Sequence, residues 1–255
     1  MIEGDIKDLL DTKAEYYEHP SFIETDPIKI PHQFSKKEDI EISGFLTATI
    51  AWGNRKAILN SAEKMMRCMD HAPHDFVMNF KLKDLKPFQT FVHRTFNGDD
   101  FIFFVHAIRH IYEHHGGLEN ALCTPEELNT LDRISLFKKL FFEPEHLKRT
   151  QKHVSDPRKG SAAKRINMFL RWMVRSDKKG VDFGIWNKLN PSDLFLPLDV
   201  HTANQARKLN LLKRKQNDRK AVDELTENLR AFDPQDPVKY DYALFGMGVF
   251  EKSGF

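Results

Sequence analysis

Apolar residues along this chain recur at intervals of three and four, the spacing that puts them on one face of a helix. Ile42, Phe45, Leu46, Thr49 and Ile50 share such a face, as do Ile166, Phe169, Leu170 and Met173. Strand-like alternation is scarce, and glycine is sparse at 12 in 255 residues. The pattern predicts an all-α chain of many short helices. At 255 residues the chain is long enough for one large domain or two small interleaved lobes, and a single domain over residues 1–255 is the expectation.

Local signals set the expected boundaries. Helices are predicted over residues 2–17, 37–69, 74–79, 85–95, 99–115, 118–121, 124–140, 162–175, 200–209, 221–231 and 237–250. Ser35 is the expected N-cap of the second helix with Glu38 as its capping-box partner, and Trp52-Gly53-Asn54 interrupts that helix. Gly116-Gly117 reads as a C-terminal stop after DDFIFFVHAIRHIYEHH.

Composition narrows the function classes. Basic and acidic residues nearly balance, 39 against 37, so the formal net charge of +2 argues against a strongly basic nucleic-acid module. A DNA-binding surface would have to come from local segregation of charge. The two cysteines, Cys68 and Cys123, stand far apart. They exclude a four-cysteine iron-sulfur cluster or zinc site supplied by this chain, so no cofactor is expected. The acidic N-terminus lacks the order of a signal peptide, and no apolar run of about 18 residues occurs. A cytoplasmic protein without membrane contact is the expectation.

Two segments carry residues suited to chemistry. In SDPRKGSAAKRINMFLRWMVR, turn-forming residues lead into a helix that is apolar on one side, while Lys164, Arg171 and Arg175 fall on another. Lys164 sits in the first turn. There the positive potential of the helix end and neighbouring Arg165 favour the neutral amine a nucleophilic lysine needs, and the same potential draws a phosphate. The alternative is that Lys164 belongs to an ordinary solvated charged face. In LFLPLDVHTANQARKLNLL, Asp199 follows an extended apolar run with Pro197 and opens a helix, so it can be an N-cap, a catalytic carboxylate, or both.

Together, Gly160, Lys164 and the sequence Leu198-Asp199-Val200-His201 resemble the helix-hairpin-helix DNA glycosylase superfamily. In that superfamily a glycine-rich hairpin precedes a catalytic lysine, and a catalytic aspartate opens a nearby helix. Gly160 matches the first hairpin glycine, and Ala162 replaces the second. The segment SDKKGVDFGIWNKLNPSDLF between the two motifs looks like an insertion, and in this the chain is similar to the archaeal 8-oxoguanine glycosylase branch. An uncharacterised bacterial family of this size within the superfamily is the closest resemblance. Only the hairpin and catalytic segment, about residues 155–212, is specific. FLTATIAWGNRKAILNSAEKMM looks like an early superfamily helix ending near DNA, HIYEHHGGL like the helix end before the hairpin lobe, and DPVKYDYALFGMGVF like the closing helix behind the aspartate.

The resemblance implies a two-lobed helical fold with a helix-hairpin-helix motif, and a monomeric DNA-repair glycosylase with abasic-site lyase activity. Its partner would be double-stranded DNA carrying a damaged base, an oxidised purine by similarity to the archaeal branch. Lys164 and Asp199 would be catalytic. Lys159, Gly160, Arg165, Arg171 and Arg175 would contact phosphates, and Asn54 would probe the duplex. Trp52 would line a base pocket, unless it is simply core. Two other readings stay open. One is a non-catalytic DNA- or nucleotide-binding module that keeps the fold. The other is a metal-dependent enzyme using histidines such as His71 with His74, His106 with His110, or His114 with His115, although AIRH between His106 and His110 lacks the acidic residue of an HExxH motif and no metal ligands are assigned.

Overall fold

Wherever the three-to-four spacing runs unbroken, the chain is helical. The computed structural model describes residues 3–251. In chain order its α-helices are α1 (Glu3–Tyr17), α2 (Lys37–Ile50), α3 (Arg55–Cys68), α4 (Pro73–Asn79), α5 (Gly98–His115), α6 (Gly117–Cys123), α7 (Thr130–Phe141), α8 (Lys164–Val174), α9 (Val200–Lys208), α10 (Arg219–Phe232) and α11 (Tyr240–Phe250). The expectation of a predominantly α-helical chain holds. The start expected at Ile2 lies outside the described residues.

Three local expectations fail for identifiable reasons. Lys36, not Ser35, occupies the N-cap of α2, without a side-chain hydrogen bond. The helix expected over 85–95 is a 3-10 segment, Leu82–Thr90, containing Pro87, which lacks a backbone donor. It runs into a short antiparallel ribbon of β1 (Val92–His93) and β2 (Phe96–Asn97). The helix expected from residue 124 starts only at Thr130. Asn129 caps it, accepting from the Leu131 and Asp132 N–H groups, each at 3.1 Å. Gly116 does end α5 in the left-handed conformation, at φ 70°.

The chain divides into two compact units. One combines the segment up to Phe22 with the chain from Asp156 onward; the other spans Ile23–Ser155. The second unit is built on rings: Phe45, Phe104, Phe137 and Phe141 are buried and packed edge-on or tilted across α2, α5 and α7. In the first unit α11 packs against both α1 and α9. A Cβ on Gly246 would lie 2.3 Å from the Tyr17 ring, so glycine is what lets α11 approach α1 this closely.

Candidate active site

The turn before Lys164 is tied at several points. Asp156 Oδ1 accepts from the Arg158 N–H at 3.0 Å and caps a single 3-10 turn, Pro157–Lys159. That turn ends at Gly160, whose φ of 85° lies in the left-handed region that glycine reaches without strain. The Gly160 carbonyl accepts from the Arg219 N–H at 3.0 Å, linking the turn to the first residue of α10. Ser161 Oγ accepts from the Ala163 N–H at 3.1 Å. Ala163 itself takes φ 48°, a strained conformation for a residue with a Cβ, and Lys164 follows as the first residue of α8.

Asp199 is held from both sides. Leu196, Pro197 and Leu198 are buried, and the Leu196 N–H donates to Thr226 Oγ1 on α10 at 3.1 Å. Asp199 then takes extended backbone and caps α9, its Oδ1 accepting from the Thr202 N–H at 2.9 Å. The capping role and partial exposure coexist in this side chain.

A third carboxylate joins them. Asp241, in the first turn of α11, is buried, and the Thr202 hydroxyl donates to its Oδ1 at 3.3 Å. Thr202 therefore touches both Asp199 and Asp241. Arg171 Nη1 pairs with Asp241 Oδ2. Burial pushes the Asp241 carboxyl up to about 6; the charges of Arg171 and Lys164 oppose the shift, and that of Asp199 adds to it. Lys164 from α8, Asp199 from the start of α9 and Asp241 from α11 thus belong to one unit, the two carboxylates joined through Thr202.

The other expected site residues divide. Lys159 and Gly160 are exposed, and Arg165 is partly exposed, with burial pulling its guanidinium down to about 10. Arg171 and Arg175 do not form the solvent-facing cationic stripe expected of them. Arg171 is 4 % exposed and faces Asp241 and Asp182, while Arg175 is 5 % exposed and bonds Glu18, Asp182 and Asp236. Their phosphate role is corrected to that of buried ion-pair partners, because Asp182 and the sequence-distant Glu18, Asp236 and Asp241 close around them. Trp52 and Asn54 lie in the other unit. Asn54 caps α3, accepting from the Ala57 N–H at 3.1 Å, and Trp52 packs edge-on to His93 and stacks on His153 at ring distances of 5.3 and 6.2 Å.

The segment read as an insertion is structurally integrated. Its Phe183 and Trp186 N–H groups donate to the Trp172 and Met173 carbonyls of α8 at 2.8 and 3.0 Å, and its Asp182 meets both buried arginines. Asp241 is the residue that sequence reasoning missed. Its signal was a lone carboxylate in the otherwise apolar YDYALFGMGVF, since a charge in a buried helix needs a partner.

Fold and site together define a helical protein with a lysine at a turn-to-helix junction and, in the same unit, two carboxylates joined through Thr202. The chain belongs to the family described as protein of unknown function DUF2400, whose model matches residues 26–250. No curated protein and no solved structure matches it.

Proposed function

We propose that this protein is a DNA-repair glycosylase with abasic-site lyase activity, of the helix-hairpin-helix type, acting in the cytoplasm as a monomer. The observation that carries the reading is that Lys164, opening α8 after the Gly160 turn, stands in the same unit as Asp199 and Asp241, which Thr202 joins. A damaged nucleotide, preferably an oxidised purine such as 8-oxoguanine, would be flipped out of the duplex to reach them. Asp199 then stabilises the cationic sugar that develops as the bond from C1′ to the base breaks, the base leaving with a proton. Lys164 gives its ammonium proton by way of Asp199 to the departing base, which leaves Asp199 ionised, and its neutral amine nitrogen bonds to C1′. Ring opening yields a Schiff base, and loss of a C2′ proton expels the 3′ phosphate. Lys159, Gly160 and Arg165, which keep exposed surface around the turn, take the phosphate contacts.

Borohydride trapping on duplexes bearing an abasic site or 8-oxoguanine tests this. Wild-type protein is expected to give a covalent adduct that is absent with Lys164→Ala. Asp199→Asn, which retains an acceptor for the α9 cap, is expected to slow base release by about a hundredfold or more. DNA binding without adduct on either duplex would replace the reading with a non-catalytic binding module, the alternative favoured by the net charge of +2.

A further inference from the structure

The last two turns of α5 and the chain just beyond α7 bring together a donor set unrelated to the lysine site. His110 Nε2 lies 2.8 Å and His115 Nε2 3.3 Å from the same oxygen, Glu143 Oε2. The ligand atoms of all three lie within 4.8 Å of one another. We propose that His110, His115 and Glu143 form a binding site for a divalent transition-metal ion of the zinc class.

Two imidazoles and a carboxylate are a donor set that zinc takes in proteins, and remaining coordination positions would be open to water. Zinc bonds of about 2.0–2.2 Å in a tetrahedral site place donors roughly 3.3 Å apart; the His115–Glu143 spacing of 3.3 Å matches this, and the His110–Glu143 spacing of 2.8 Å would open by about half an ångström. The site also lies at the negative end of the 18-residue α5, which favours a cation. The scaffold is preorganised: Phe103 stacks on Phe142 at 5.2 Å, and Phe104 meets Phe141 at 4.9 Å, fixing α5 against the segment that carries Glu143. His106, the expected partner of His110, packs instead on the Phe80 ring at 4.9 Å.

The test is titration of the metal-free full-length protein with Zn(II) against a chromogenic chelator, and with Co(II) followed by visible absorption. One equivalent of Zn(II) is expected to bind. His115→Ala and Glu143→Gln should each weaken binding by more than about tenfold and remove the cobalt bands. Both side chains are partly exposed, so the variants should keep the wild-type circular dichroism spectrum. Lys164→Ala should bind zinc like wild type, which keeps the result independent of the glycosylase reading. No binding, or binding unchanged in both variants, would overturn the proposal.

Discussion

The two units fix their central helices by different physics. Around α8, buried charge is added to an apolar face: Arg171 and Arg175 are buried among Glu18, Asp182, Asp236 and Asp241. Around α5 and α7 position is set by shape, with Phe104 ringed by Phe45, Phe96 and Phe141 at 6.0, 5.2 and 4.9 Å. Apolar packing is tolerant of substitution as long as volume is kept, whereas a buried guanidinium requires its partners at defined points. The ionic arrangement belongs to the unit that carries Lys164, Asp199 and Asp241. There, Arg171 fixes Asp241, which shares Thr202 with Asp199.

The largest expected effect follows from this contrast. Arg175→Met strands the carboxylates of Glu18, Asp182 and Asp236 in or near the interior, and should cost about 3–5 kcal/mol in urea denaturation. A cost below about 1 kcal/mol would show that the network does not hold α8.

Next comes a pH effect confined to the charged unit. Asp241 has a folded value of about 6 against an ordinary 3.8, so between those values the folded chain keeps a proton that the unfolded chain has released. The stability it contributes is fully present below about 4 and declines as pH rises to about 6. Asp241→Asn lacks this titration. Its stability relative to wild type should therefore rise across that window by on the order of 2–3 kcal/mol, read from denaturation midpoints at pH 4 and pH 6.5. A flat difference would remove Asp241 from the set of buried, charge-sensitive groups.

On the aromatic side the effect should be smaller. Phe104→Leu keeps an apolar side chain in a fully buried position but loses ring contacts and some volume, and about 1–2 kcal/mol is expected. A loss as large as that of Arg175→Met would mean that the ring cluster is as exacting as the ion-pair network.

The same division explains what could be read from the sequence. Helices set by local periodicity and their stops were legible: α5 ends at Gly116, and Asp199 caps α9, because these signals lie within a few residues of one another. The surroundings of Arg171 and Arg175 were not. Seen alone, the helix presents two cations on a polar face, and nothing near them announces Glu18, which is 157 positions from Arg175, or Asp241, 70 positions from Arg171. The zinc-class donor set was half legible. The histidines stood out, but the spacing of four pointed to His106, whereas the fold pairs His110 with His115 through Glu143, 33 and 28 positions away.

The smallest expected effect probes the backbone instead of the partners. Ala163, immediately before Lys164, holds φ 48° with its methyl group 2 % exposed. The left-handed conformation costs a residue with a Cβ about 1–2 kcal/mol, and burial of its methyl group returns about 0.8 kcal/mol. Ala163→Gly removes both terms and should leave the protein more stable by less than about 1 kcal/mol. If the strained residue serves to aim Lys164 from the first turn of α8, the same variant should trap borohydride adduct more slowly despite its higher stability. Gain of stability with unchanged trapping would make the strain incidental, and the buried ionic network would then be the feature left to orient α8.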